Sequence, residues 1–426
     1  MNSPAPKPLG FWSCWALTVG CMIGSGVFTL PAVLAPYGLM SFGGWLIAGA
    51  GSIVLALVFG QLASRTARSG GPYTYAHEAF GEFTGFAIAW GYWCSYWIAI
   101  PAIAIAFAGY LPEFFPALAH NSVGQALAAL ALIWALTLIN VRGLREAGFI
   151  QILMTALKIV PLVAIAGLGI AAGDTANLPA LNPNNSSVLT TLSATALLTL
   201  WAFTGFEAGA MPAANVKNPE RVIPRAIVIG MVTVTLIYLS ATAAVMLLVP
   251  AETLAQSTAP FADAARAFGA WGPRLVAAGA LIATAGALNG IIFVCGQMPM
   301  AVALDKLAPS ALASVNRGGA PYVALLVSSV LGSLLLLLNY SRGTIKAFEF
   351  LVMMSTLTIL LPYLVSALAE LRHSWNRSKS WALAALLAGY YVLFAILGSG
   401  AEVIAWGGVL MALGVPIFIL GRRLQT

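Results

Sequence analysis

Two charged side chains stand where charge is expensive. Glu207, in WAFTGFEAGA, and Lys158, in TALKIVPL, each interrupt a long apolar run. An ionisable group near the centre of a bilayer costs about 3 kcal/mol on insertion scales, so it marks a functional position by default. For Glu207 the competing reading is a protonated carboxyl hydrogen-bonded for packing. Otherwise an acid so placed suits a proton carrier or a gate that responds to pH. Lys158 must face other helices and find acceptors, or give up its proton. Holding the carbonyls of an unwound helix as a built-in cation and taking part in proton coupling are both open to it.

The run CMIGSGVFTLPA places Gly24, Ser25 and Gly26 together inside an apolar segment. Each glycine weakens a helix interior by about 1 kcal/mol relative to alanine. Taken alone, the motif fits close helix packing equally well. A second interruption, Trp201-Ala202-Phe203-Thr204-Gly205-Phe206-Glu207, lies five apolar segments further on. Matched interruptions in corresponding segments point to an inverted repeat with broken helices at its binding site. There the half-helix after a break offers free N–H groups to a carboxylate, while exposed carbonyls receive an ammonium. An α-amino acid bears both groups. This is binding chemistry, and nothing in the pattern calls for an enzyme, a cofactor or a metal.

These residues need elements to hold them, and composition says which. Of 426 residues only 8% are charged and 60% are apolar, with mean hydropathy +0.92; soluble domains carry about a quarter charged residues. That balance excludes a cytosolic enzyme, a disulfide scaffold and a disordered adaptor, and makes the lipid bilayer the solvent. The net charge of +7 is spread between apolar runs, so it does not form a nucleic-acid-binding stripe. Cys14, Cys21, Cys94 and Cys295 all lie in apolar stretches without CxxC spacing and are expected to be small buried hydrophobes.

A spanning helix needs about 20 apolar residues. Twelve runs qualify, near 11–35, 39–64, 83–111, 123–141, 147–172, 188–213, 224–249, 271–303, 320–339, 346–370, 381–398 and 402–421. Continuous runs choose helices over barrel strands. The expected architecture is therefore an all-α membrane protein of twelve transmembrane helices, in one domain spanning 1–426. Repeat one covers about 11–172, repeat two about 188–370, and two further helices about 381–421. With the N-terminus inside, fifteen Lys/Arg fall in inner loops and tails and four in outer loops (Arg266, Arg274, Arg342, Lys346). Positive charge stays inside, so both termini are expected in the cytoplasm. Tyr92 and Tyr363 could belong to interfacial belts or to a gate. A channel would need a continuous polar lining, which the runs lack.

The segments IGSGVFTLPA, SGGPYTYAHEAFG, LWAFTGFEA with VKNPERVIP, TAPFADAARAFG and LLPYL, in this order, resemble the amino acid–polyamine–organocation superfamily over nearly the whole chain. The nearest likeness is to the basic amino acid/polyamine antiporters of the arginine/agmatine type. The resemblance implies a five-plus-five inverted repeat with helices 1 and 6 broken, alternating access in the bacterial inner membrane, and often a homodimer through the last two helices. By position, Ser25 with the amides around Gly24 and Gly26 would hold the substrate carboxylate. Ile23 with the carbonyls of Trp201 and Thr204 would receive the amine, and Trp201 would close over the substrate. Glu207, Tyr92 and Tyr363 would form the distal gate, Ser355 would line the pocket, and Tyr73 would belong to the inner gate. Three positions depart from that type: Ile100 replaces an asparagine, Ile291 a tryptophan that stacks on the guanidinium, and Cys21 an asparagine. Losing the cation–π partner alone forfeits about 0.5–2 kcal/mol for an arginine side chain. Lys158 also resembles the lysine of proton-coupled carriers in the superfamily. Two readings follow. One is an amino acid/polyamine antiporter; the alternative is a proton-coupled symporter for neutral apolar amino acids. Both have a small amino acid or amine as partner, protons as the candidate coupling ion, and no nucleic acid.

Overall fold

The computed structural model describes residues 10–65, 72–142, 148–206, 216, 218–317, 319–339 and 343–423. Glu207 lies outside the described residues. The helices are α1 (Phe11–Met22), α2 (Ser25–Leu34), α3 (Ser41–Arg65), α4 (Pro72–Phe80), α5 (Glu82–Tyr110), α6 (Ser122–Arg142), α7 (Gly148–Ala172) and α8 (Val188–Phe203). There follow α9 (Pro219–Leu248), α10 (Ala251–Leu254), α11 (Pro260–Ala264), α12 (Gly272–Leu304), α13 (Tyr322–Asn339), α14 (Thr344–Ser374), α15 (Lys379–Leu397) and α16 (Gly400–Arg423). Among the described residues nine stretches are long and apolar enough to cross a membrane. Two shorter apolar helices, Lys158–Ala172 and Val188–Phe203, complete the set. With α1 and α2 sharing the first passage, each of the twelve apolar runs has its helix, and α4, α10 and α11 are connectors.

The helices are apolar on every side because most of them touch protein on one side and lipid on the other. Leu334, Leu337 and Leu338 of α13 and Leu383, Leu387 and Leu393 of α15 are exposed, as lipid-facing residues should be. α5 lies at the centre, packed against α12, α13 and α14. α1 packs on α9 and α8 packs on α3, while α5 packs on α6 and α12 on α13. Within each pair, exchanging every passage for its counterpart five away (1 with 6, 2 with 7, 3 with 8, 4 with 9) turns one packing into the other, as a five-plus-five repeat requires. Small residues let backbones close in: a Cβ on Gly44 of α3 would run into Thr195 of α8.

Polar ties fasten α14 at both ends. Toward its start, the Tyr37 hydroxyl donates to Glu349 Oε1 at 3.0 Å. Toward its end, Arg65 Nη1 of α3 donates to both oxygens of Glu370, at 2.7 and 3.0 Å, and Ser374 donates to the same carboxylate. Glu370 is fully buried. Sequence proximity would pair it with Arg372, but that guanidinium turns to the Ala79 carbonyl and the Phe80 ring. The expectation for the cysteines needs one correction. Cys14, Cys94 and Cys295 are buried, whereas Cys21 is exposed, because it sits in the last turn of α1, where that helix stops short.

Candidate functional site

The first passage breaks where its glycines are. α1 ends at Met22; Ile23 is extended (φ −73°, ψ 95°) and Gly24 has left the helical region (φ −129°, ψ −145°) before α2 restarts at Ser25. The sixth passage breaks in the same manner. α8 ends at Phe203, Thr204 is extended (φ −62°, ψ 145°), and Gly205 turns the chain at φ +97°, a conformation that favours glycine. Thr204 caps its own helix end, its N–H and hydroxyl reaching the Trp201 carbonyl at 3.2 and 2.7 Å.

The two breaks touch. A Cβ on Gly26 would lie 3.0 Å from Trp201 Cε3, and one on Gly205 would lie 3.2 Å from the Cys21 carbonyl oxygen. A Cβ on Gly24 would meet Ala287 of α12 at 3.3 Å. The glycines thus permit a close approach that larger residues would block.

Each break strands backbone groups that an intact helix would pair. Lys158 Nζ, 6% exposed, donates to the Gly20 carbonyl at 3.2 Å. The Tyr238 hydroxyl donates to the Met22 carbonyl at 2.8 Å and lies 3.1 Å from the Ala202 carbonyl. At the start of α2 no side chain caps the free N–H groups, and the buried Ser25 hydroxyl has no hydrogen-bond partner among the described residues. One end of the gap therefore supplies donors and a positive dipole end, the other carbonyl acceptors. That pairing fits a zwitterion.

Aromatic residues wall the gap. Trp201 packs edge-on against Phe348 of α14, with ring centroids 5.6 Å apart. Further along, Tyr363 gathers Phe59 (5.4 Å), Phe206 (5.6 Å) and Tyr92 (6.3 Å) into one buried cluster. Ser355 donates to the Ser95 carbonyl at 2.9 Å, joining α14 to α5. Ile100 is fully buried and lies against Gly332 of α13, while Ile291 is half-buried, one turn beyond Ala287. Tyr73 stands apart from the breaks, donating to Asp305 Oδ2 at 2.7 Å beside a cleft of about 410 Å³ that also includes His77, Glu78 and Glu82. Nearby in α4, burial first and Glu78 second push the Tyr75 phenol up to about 12, so it stays protonated.

Sequence reading missed Tyr238, Phe348, Phe59 and Ala287. Tyr238 alone left a usable signal: a phenol hydroxyl in VTLIYLSA, within hydrocarbon, must find a protein acceptor. The others are apolar residues in apolar helices.

Comparison with known proteins bears directly on this arrangement. A family model described as amino acid permease matches residues 9–420, nearly the whole chain. This chain belongs to the amino acid permease family. Its relatives within reach of that match include a Bacillus subtilis (strain 168) protein provisionally named arginine/ornithine antiporter, 31% identical over 97% of this chain and 96% of its own. The cadaverine/lysine antiporter of Escherichia coli (strain K12) is 30% identical over 97% and 94% of the two chains. The putrescine transporter PotE of Haemophilus influenzae (strain ATCC 51907 / DSM 11121 / KW20 / Rd) is 30% identical over 98% and 97%. In this permease, then, the paired breaks lie in a chain whose relatives are named as transporters rather than enzymes.

Proposed function

We propose that this permease exchanges amino acids or polyamines across the bacterial inner membrane by alternating access, with both termini in the cytoplasm. One observation supports the reading: the two broken helices meet, Gly26 of α2 against the Trp201 ring and Gly205 against the Cys21 carbonyl, next to an α2 start where the buried Ser25 hydroxyl has no hydrogen-bond partner among the described residues. The α-carboxylate would bind Ser25 and the amides around Gly24 and Gly26. The α-ammonium would bind at Ile23 and at the Trp201 and Thr204 carbonyls. Trp201 would close over the substrate; Tyr92, Tyr363 and Glu207 would gate it further in, and Tyr73 would act at the inner mouth. Ser355, Ile100 and Ile291 would shape the side-chain end. The repeats would run about 11–172 and 188–370, with the helices of 381–421 as the surface where two copies pair. The relatives named for arginine, ornithine, lysine, cadaverine and putrescine support a substrate with at least one ammonium group.

A second reading, proton-coupled uptake of neutral amino acids, is favoured by Lys158 at the first break. Purified protein in liposomes separates the two, with labelled arginine, agmatine, lysine, cadaverine, leucine and alanine as the panel. Uptake that requires preloaded substrate supports exchange. Uptake into empty vesicles driven by a pH gradient replaces it with the second reading, and no uptake of any panel member refutes both.

A further inference from the structure

Tyr238 belongs to neither broken helix, yet it touches the end of each. It lies on α9, is fully buried, and its ring is held between Trp45 (5.1 Å) and Phe203 (5.6 Å). Those contacts leave the hydroxyl one direction to go. It meets the last carbonyl of α1, Met22, at 2.8 Å and the next-to-last carbonyl of α8, Ala202, at 3.1 Å.

Both carbonyls lost their intrahelical donors when the helices stopped. A phenol has one proton, so it can satisfy one of them fully or both partially. One side chain thus ties the two helix ends together. The acceptors proposed for the ammonium, at Ile23 and the Trp201 and Thr204 carbonyls, adjoin the bridged ones in sequence, and an ammonium with three donors can use several of them at once. Lys158 of α7 occupies the neighbouring Gly20 carbonyl. Between them the two side chains fix which acceptors of α1 remain for a ligand.

We propose that Tyr238 is a positioning residue for the substrate ammonium: its hydroxyl bridges the ends of α1 and α8 and sets the spacing of the acceptors the ammonium uses. This rests on the amino acid/amine reading given above. Without the bridge the two ends are free to part, and an ammonium that reaches one loses the other.

The test is titration calorimetry on the full-length, detergent-solubilised protein, using whichever of arginine, agmatine, lysine, cadaverine, leucine and alanine the wild type binds. Tyr238→Phe keeps both ring contacts and removes only the hydroxyl. Its Kd is expected to rise about tenfold, the effect of one buried hydrogen bond of roughly 1.4 kcal/mol, with the number of sites unchanged and the melting temperature lowered only by the loss of that one bond. Tyr391→Phe, which removes another buried tyrosine hydroxyl (5% exposed), one that reaches the Ala48 carbonyl of α3 and no carbonyl of a helix break, is expected to leave Kd within twofold. An unchanged or lower Kd in Tyr238→Phe overturns the proposal, as does an equal rise in Tyr391→Phe. If Tyr238→Phe does not accumulate, Tyr238→His, whose shorter ring can serve one carbonyl but not both, is titrated instead, and a wild-type Kd there also overturns it. Wild-type protein that binds no member of that panel refutes the transport reading instead, a result distinct from all of these.

Discussion

Gly26→Ala isolates the contact on which the site depends. The added methyl would lie 3.0 and 3.1 Å from Trp201 Cε3 and Cζ3 and 3.4 Å from Ala202 Cβ. Carbon atoms rest about 3.5–4.0 Å apart, so the indole must retreat by roughly half an ångström, and Phe348 stands behind it at 5.6 Å. Overpacking of this kind costs about 1–3 kcal/mol. Against that, alanine gains up to about 1 kcal/mol over glycine in helix propensity. Stability should therefore fall by about 0–2 kcal/mol if the full helix gain is realised, and by no more than about 3 kcal/mol if none is. Substrate affinity has no such compensation. A displaced Trp201 should weaken binding by about 1–2 kcal/mol, or roughly 5- to 30-fold. The assay is a double-mutant cycle with Trp201→Phe, read by calorimetry and by counterflow in liposomes. Phenylalanine lacks the benzo ring that bears Cε3 and Cζ3, so the same methyl should cost less in that background, with a coupling of at least about 0.5 kcal/mol. Folded Gly26→Ala protein with wild-type affinity would show that Trp201 does not form the cover of the site.

Three further outcomes are expected. Arg65→Gln leaves the fully buried Glu370 without its cation and should destabilise the protein by about 2–3 kcal/mol, less than breaking a fully buried pair because Arg65 is 28% exposed and partly screened by solvent. Thermal unfolding should find the double variant Arg65→Gln/Glu370→Gln milder than Arg65→Gln alone, and a double variant no better than the single one refutes the buried-charge account. A maleimide added to the detergent-solubilised protein should modify Cys21 ahead of Cys14, Cys94 and Cys295, since only Cys21 is exposed; mass spectrometry that finds one of the other three labelled first contradicts this. Glu207→Gln should flatten the pH dependence of transport, and a preserved profile would make Glu207 a structural residue.

Much of the scaffold was legible because lipid imposes simple demands. Backbone groups without water must pair within a helix, so twelve apolar runs imply twelve helical passages with little room for alternatives. The breaks were legible for a related reason. Glycine beside serine in one run and Thr204-Gly205 in another are costly in a helix interior, and a cost repeated five passages apart needs a common cause. The lateral facing of each helix was not legible. Where every side of a helix is apolar, no periodicity separates a residue against lipid from one against α5 or α13. Ile100 reads the same whether it meets a ligand or Gly332, and Tyr238 announces that its hydroxyl needs an acceptor but not which one. Partner choice is hidden for another reason. Arg372 is two positions from Glu370, but on a helix adjacent positions diverge, whereas Arg65 arrives from another helix end pointing straight at the carboxylate. Cys21 shows the same effect in reverse: its apolar neighbours suggest burial, but burial is decided by where α1 stops. Side-chain chemistry therefore announced where the chain must unwind, and three-dimensional packing alone decided which groups receive the backbone it sets free.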